Sequence, residues 1–169
     1  DAAGNVVTST PTSGATFTVD NTAPTLSSVS IASNNSTTTL AKVADVVTLT
    51  FTASETIATP VVTFQSGSAA ITDNSITYAS SGNVWTAAYT ANASDTTGSV
   101  TYSIAFSDSA GNAGTAVTSG SGSVTFDKTA PTASIISCVP TDCEEIDPAI
   151  NSHLAVVRST ETGTAYMVK

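Results

Sequence analysis

Hydrophobic and polar residues alternate along the middle of the chain in short segments, which is the pattern of half-buried β-strands. The clearest segment is residues 45–53, where Val47, Leu49 and Phe51 fall on one face and threonines fall on the other. Two further segments place their large side chains on one face in the same way: Trp85, Ala87 and Tyr89 within 84–91, and Val100, Tyr102, Ile104 and Phe106 within 99–107. The pattern therefore predicts strands and little helix.

Turn-forming clusters of Ser, Asn, Asp and Gly separate these segments from weaker ones of the same kind. In chain order the predicted strands A to G are residues 25–31, 45–53, 61–64, 76–79, 84–91, 99–107 and 121–126. Seven short strands with regular turn signals predict an all-β fold, an immunoglobulin-like seven-stranded β-sandwich.

The chain also repeats itself at long range. Residues 1–5 (DAAGN) recur as 108–112 (DSAGN), and residues 18–25 (TVDNTAPT) recur as 125–132 (TFDKTAPT), both with an offset of 107. A third match, residues 54–56 against 160–162, has an offset of 106. A period of this length corresponds to a whole β-sandwich domain rather than to a solenoid unit.

The repeat predicts three parts arranged in tandem. Residues 1–22 are the final strand of a preceding repeat with its linker, 23–128 are one complete repeat, and 129–169 are the first strands of a following repeat. The linkers carry an Ala-Pro pair, which favours extended backbone and makes the joints semi-rigid. We expect the chain to be a window of a longer tandem array; the alternative is that the end of one chain completes the start of the next.

Three motifs carry a resemblance to a known group of proteins. These are the D-x-A-G-N loop, the VDNTAPT joint and the GNVWTAAYT strand of residues 82–90. The chain resembles the bacterial immunoglobulin-like tandem repeats of large surface adhesins and extracellular fibre proteins, including calcium-dependent extender regions. The resemblance implies an extracellular, cell-surface protein whose partners are the neighbouring repeats of the same chain or fibre.

Oxygen-bearing side chains are predicted to meet at one end of the complete repeat. In a sandwich of alternating strand direction, the start of strand A, the loop between B and C and the loop between F and G share an end. The residues at that end are Asp20, Asn21, Glu55, Asp108 and Asn112. Ca²⁺ takes six to eight oxygen ligands, so the sequence predicts a Ca²⁺ site at the joint with the preceding repeat.

The same residue types also form turns without any metal. Asp and Asn accept local backbone hydrogen bonds, and Gly111 suits a tight turn, so a metal-free turn remains the alternative. Asp127 and Glu161 mark the corresponding positions of the next repeat.

Composition narrows the classes of function. Thirteen acidic residues face four basic ones, for a net charge of −9. Nucleic-acid binding requires clustered Lys and Arg, so we exclude it. The segment contains no run of about 20 apolar residues and no signal peptide, so we expect no membrane insertion here and place any targeting signal elsewhere.

Cys138 and Cys143 lie five residues apart in a polar stretch. A local disulfide between them suits an oxidising compartment, whereas two ligands alone make a poor metal site. We therefore predict the disulfide.

Catalytic motifs do not emerge from the sequence. His153 is the single histidine and has no nucleophile motif beside it, so a solvated loop residue is the simpler interpretation. Trp85 and Tyr89 fit core packing better than a carbohydrate-binding surface. Asn34, Asn35 and Asn92 match the N-x-Ser/Thr glycosylation pattern.

The sequence therefore predicts a non-enzymatic structural stalk or filament segment that spaces a distal binding region from the cell. The alternatives are an immunoglobulin-like module that binds a glycan or a protein, and an accessory domain of a secreted enzyme.

Overall fold

A computed structural model describes residues 18–73, 75–139 and 154–162. The described residues form strands and no helix, so no helix among them is long and apolar enough to cross a membrane. The chain divides into two compact units, Asp1–Asp127 (unit 1) and Lys128–Lys169 (unit 2).

Unit 1 contains a four-stranded antiparallel sheet in the order β1-β3-β7-β6. Its strands are β1 (Leu26–Ser33), β3 (Val46–Ala53), β6 (Thr77–Ser81) and β7 (Val84–Thr90). Strand β3 lies between β1 and β7, and every second residue of it is buried. The alternation predicted for this segment is therefore confirmed.

The second sheet of unit 1 has five strands in the order β2-β9-β8-β4-β5. They are β2 (Leu40–Ala41), β4 (Val61–Ser66), β5 (Ala69–Ala70), β8 (Gly98–Ala105) and β9 (Thr125–Phe126). Most pairs are antiparallel, whereas β2 and β9 run parallel.

The two sheets share one hydrophobic core, as in a β-sandwich. The largest fully buried side chains come from both: Leu49, Phe51 and Tyr89 from the four-stranded sheet, and Ile104 and Phe126 from the five-stranded sheet. The rings of Phe64 and Tyr89 meet across the core with centroids 4.8 Å apart, and the Val62 amide donates to the Tyr78 hydroxyl at 3.0 Å. As predicted, Tyr89 is a core residue, and Trp85 is half-buried against the same core.

A glycine-rich segment, residues 113–124, runs between β1 and β8 before β9 begins. The Ser121 amide donates to the Val29 carbonyl at 2.8 Å, and the Ile31 amide donates to the Ser121 carbonyl at 3.1 Å. At Gly122, which has φ +77°, a Cβ would lie 2.3 Å from the Ile31 carbonyl oxygen. This close approach of two backbones requires glycine.

The seven predicted strands all correspond to observed strands, but the ends and the number differ. Strand G is predicted over 121–126, and only Thr125–Phe126 is regular strand. The two-residue strands β2 and β5 are not predicted by the pattern. Each is too short to show an alternation.

Unit 2 contains a two-stranded antiparallel sheet of β10 (Ala133–Val139) and β11 (Leu154–Ser159). Cys143 and His153 lie outside the described residues, so the Cys138–Cys143 disulfide stays a prediction. Residues 1–17 also lie outside them, and the preceding repeat stays a prediction with them.

Neighbouring valines on β4 provide a matched test of this core. Val62 is 2% exposed and Val61 is 62% exposed. We expect Val62→Ala to lower the free energy of unfolding by about 2 kcal/mol, because two buried methyl groups are lost and a cavity remains. Val61→Ala should change it by less than about 0.5 kcal/mol. Urea unfolding followed by fluorescence of Trp85, the single tryptophan, measures both, and equal effects would contradict the assigned faces.

Candidate metal site

Three carboxylates from distant parts of the sequence converge at one end of unit 1. Asp20 precedes β1, Glu55 follows β3, and Asp108 follows β8. Their ligand oxygens lie within 4.8 Å of one another. We call these three residues the carboxylate cluster.

Asp108 is held in place by a tight turn. Its Oδ1 accepts a hydrogen bond from the Asn112 amide at 2.8 Å, and the Asp108 amide donates to the Asn112 carbonyl at 3.1 Å. Gly111 has φ +96°, which favours glycine at this position of the turn.

Backbone pairing brings that turn to the loop that carries Glu55. Ile57 and Asp108 form an isolated antiparallel bridge, and the Ala58 amide donates to the Ser107 carbonyl at 2.9 Å. The closeness of Glu55 to Asp108 is therefore a consequence of the sheet architecture.

The segment that carries Asp20 is attached to the same end of the unit. The Thr25 amide donates to the Ser54 hydroxyl at 3.0 Å, and the Ser54 amide donates to the Thr25 carbonyl at 2.9 Å. Pro24 is buried. Residue 114 is glycine, and a Cβ there would lie 2.2 Å from the Phe106 ring and 2.7 Å from the Pro24 carbonyl oxygen. The Ala-Pro segment predicted as a linker is thus packed into unit 1.

Asn112 connects the turn to this entry segment. Its Nδ2 donates to Asp108 Oδ2 at 2.7 Å and to the Asp20 carbonyl at 2.9 Å. Asn112 was predicted as an oxygen ligand, yet it contacts the cluster through its amide nitrogen. Asn21 is exposed, and its role as a ligand stays a prediction.

Two opposing effects act on the ionisation of Asp108 in the carboxylate cluster. The Asn112 side chain and the backbone amides of the turn lower the pKa of Asp108, while burial acts in the opposite direction. Ionised carboxylates at this separation repel one another. Hydrogen bonds from Asn112 therefore stabilise one negative charge in a place where three acidic groups meet.

The cluster has dimensions suited to a calcium ion. Ca²⁺ binds oxygens at about 2.3–2.6 Å, so two ligands on opposite sides of the ion lie about 4.6–5.2 Å apart. The separation of 4.8 Å or less in the cluster fits that sphere. Three carboxylates account for part of a coordination shell, and backbone oxygens or water would complete it.

Ser54 contributes to this end although it is not a predicted site residue. Its hydroxyl accepts from Thr25, and in unit 2 the Thr160 hydroxyl accepts from the Thr132 amide at 3.0 Å. The sequence signal is a hydroxyl residue before the glutamate in both copies, Ser54-Glu55 and Thr160-Glu161. Asp127 and Glu161 stay predicted positions of a second site.

The fold and the cluster define the class: an all-β protein with a sandwich-like core and three acidic side chains gathered at one end of it. No protein-family model, no curated protein and no solved structure matches the chain.

The bridge made by Asn112 yields a pH-dependent prediction. Asn112→Ala removes the side-chain donor that lowers the pKa of Asp108, so this pKa should rise towards its usual value of about 4. A lowered native pKa stabilises the fold above that value, and the stabilisation is lost as the pH falls through the native pKa. The variant should therefore lose less stability on acidification than the original chain.

The measurement is an NMR titration of the Asp108 carboxyl carbon in the presence of a chelator, together with urea unfolding at several acidic pH values. Asn21→Ala is the control, because it removes a neighbouring asparagine that is not among the groups that lower the pKa of Asp108. Equal Asp108 pKa values in the original chain and in Asn112→Ala would show that the bridge has no electrostatic role.

Proposed function

We propose that the chain is a structural segment of an extracellular stalk or fibre, such as that of a bacterial surface adhesin, built from tandem immunoglobulin-like repeats. The observation that carries the proposal is that the backbone enters and leaves unit 1 at opposite ends. The entry segment is attached beside Ser54, which follows β3. At the exit, the Asp127 amide donates to the Ala41 carbonyl at 2.8 Å, in β2, which precedes β3 in the chain. The stalk proposal takes these opposite ends as the points at which neighbouring repeats attach.

The order of the strands supports an immunoglobulin-like repeat. Sandwiches of that type have strands A, B, E and D in one sheet and C, F and G in the other. The observed order β1-β3-β7-β6 corresponds to A-B-E-D, and β9-β8-β4 corresponds to G-F-C.

The pairing of β10 with β11 supports a following repeat. In unit 1, Leu26 pairs with Ala53; in unit 2, Ala133 pairs with Ser159. These pairs are related by the same offsets, 107 and 106, that relate the sequence motifs. The hydrogen bonds between Thr25 and Ser54 also recur, with the Thr160 amide donating to the Thr132 carbonyl at 3.0 Å.

The carboxylate cluster is the proposed Ca²⁺ site of the joint. Asp20 belongs to the entry segment, whereas Glu55 and Asp108 belong to the body of unit 1. A bound cation neutralises carboxylates that otherwise repel, and it ties the entry segment to the unit. In this proposal the ion stiffens the joint and has no catalytic role.

A ligand-binding surface built on the large aromatic residues has less support. Tyr89 is 2% exposed, and Trp85 packs partly against the core. Because these side chains pack in or against the core, they offer little surface to a ligand, and we propose the stalk as the function.

Calcium should stabilise unit 1 through the cluster. A ligand that binds only the folded state adds about 2.7 kcal/mol at a concentration 100 times its Kd. We expect the thermal midpoint, followed by Trp85 fluorescence, to rise with excess Ca²⁺ relative to excess chelator. Glu55→Gln should abolish most of this rise, because it removes one ligand charge with little change of shape.

Asp73→Asn is the matched control, since it removes one negative charge from the loop that precedes β6, away from the cluster. It should keep the full response to Ca²⁺, whatever its effect on the midpoint in chelator. An original chain whose midpoint is the same in Ca²⁺ and in chelator would refute the calcium site and leave the stalk proposal standing.

The stalk itself predicts a fixed length for each repeat. Strands of eight residues span about 27 Å, so with its loops a repeat should add roughly 30–40 Å. Electron microscopy of the native polypeptide, combined with its intact mass, gives length per repeat. A compact particle, or a mass that leaves no room for further repeats, would contradict the stalk.

A further inference from the structure

Three asparagines of unit 1 lie in N-x-Ser/Thr tripeptides, and all three are at the end opposite the carboxylate cluster. Asn34 and Asn35 follow β1, and Asn92 follows β7. Backbone hydrogen bonds place both turns beside the start of β3: the Asn34 amide donates to the Val46 carbonyl at 3.0 Å, and the Ala91 amide donates to the Asp45 carbonyl at 2.8 Å. The local geometry then distinguishes the three.

Asn92 lies in an exposed turn that several hydrogen bonds hold in one conformation. Its Oδ1 accepts a hydrogen bond from the Ser94 amide at 2.9 Å, which is an Asx turn. Asp95, 1% exposed, fixes the base of the turn: its Oδ2 accepts from the Asn92 amide at 2.8 Å, and its Oδ1 accepts from the Thr72 amide at 2.8 Å. Among the described residues, Asn92 Nδ2 has no hydrogen-bond partner.

The other two asparagines are engaged. Asn34 Oδ1 accepts from the Val46 amide at 2.8 Å, so it does not form an Asx turn with its own Ser36. Asn35 does accept from the Thr37 amide at 3.1 Å, but its Nδ2 donates to Asp45 Oδ2 at 2.7 Å and is partly buried. The nitrogen that would react is therefore held by a carboxylate.

We propose that Asn92 is an N-glycosylation site, and that Asn34 and Asn35 are not modified in the folded protein. The attached group comes from a glycan activated as a lipid-linked phosphate or diphosphate ester. Asn92 Nδ2 forms a bond to the anomeric carbon of the first sugar, the bond from that carbon to the phosphate oxygen breaks, and the lipid phosphate leaves. A base of the transferase takes up the amide proton, so the step involves no oxidation.

The geometry of the turn favours this reaction at Asn92. The hydrogen bond to Oδ1 withdraws electron density from the amide and makes its N–H groups more acidic. The same turn brings Ser94, the hydroxyl residue that the acceptor pattern requires, next to the reacting amide. Because Asp95 holds the turn from the core side, a transferase meets this conformation without unfolding unit 1.

A glycan at Asn92 would not interfere with the carboxylate cluster. Asp45 and Glu55 lie at opposite ends of β3, whose eight residues span about 27 Å. The glycan would instead stand at the end where the chain leaves unit 1, and it would add a bulky hydrophilic group there. The proposal does not depend on calcium.

The direct test is glycopeptide mass spectrometry of the polypeptide isolated from its natural source. The expected result is one glycan on the peptide that contains Asn92 and unmodified peptides for Asn34 and Asn35. An unmodified Asn92, or a glycan on Asn34 or Asn35 in its place, would overturn the proposal.

A reconstituted transfer assay separates the geometry of the turn from the sequence motif. The folded chain is incubated with a purified oligosaccharyltransferase and a lipid-diphosphate-linked glycan, and the products are analysed by intact-protein mass spectrometry. The original chain and Asn35→Gln should each gain a single glycan, Ser94→Thr should gain it faster, and Ser94→Ala, which keeps Asn92 itself, should gain none. Transfer to Ser94→Ala, or loss of transfer in Asn35→Gln, would contradict the assignment to Asn92.

Discussion

The enclosed face of β3 is the constraint on which the rest of unit 1 depends. Val47, Leu49 and Phe51 are all 0% exposed, and they come from the strand that lies between β1 and β7. A shift of one residue in the pairing would turn all three to the other face, so their burial fixes the register of both neighbours. With the register fixed, the direction of β3 defines the two ends of the unit. Glu55 is at one end, and Asp45 is at the other.

The parts of the fold that could be predicted are those in which side chains alternate. In β3 and β4 the residue types, mainly Val, Leu, Phe and Thr, indicate strands, and in the structure every second residue of both strands is buried. The segment of residues 113–124 could not be predicted in the same way. There the backbone approaches β1 closely, as at Gly122, and the contact is made by glycines that carry no side chain to show a pattern. Close backbone approach is determined by the partner strand, which the local sequence does not reveal.

The candidate site likewise has one part that could be predicted from the sequence and one part that could not. The convergence of Asp20, Glu55 and Asp108 follows from the direction of the strands, which the sequence indicates. The role of Asn112 does not, because the orientation of its amide is set by two acceptors, Asp108 Oδ2 and the Asp20 carbonyl. The packing of Pro24 also could not be predicted from the local sequence. It depends on the absence of a side chain at Gly114, which is 90 positions further along the chain.

Neutral hydrogen bonds attach the entry segment to the body of unit 1, and repulsion between carboxylates weakens that attachment. The Thr25–Ser54 pair and the bond from Asn112 to the Asp20 carbonyl attach it, while the negative charge of Asp20 is brought towards two other carboxylates. Removal of a cation would restore the repulsion but leave the hydrogen bonds and the buried Pro24 in place. If the proposed site binds calcium, loss of the ion should therefore loosen the joint by degrees and not release it. Such a graded response would suit the proposed stalk, which has to remain continuous when the ionic conditions around it change.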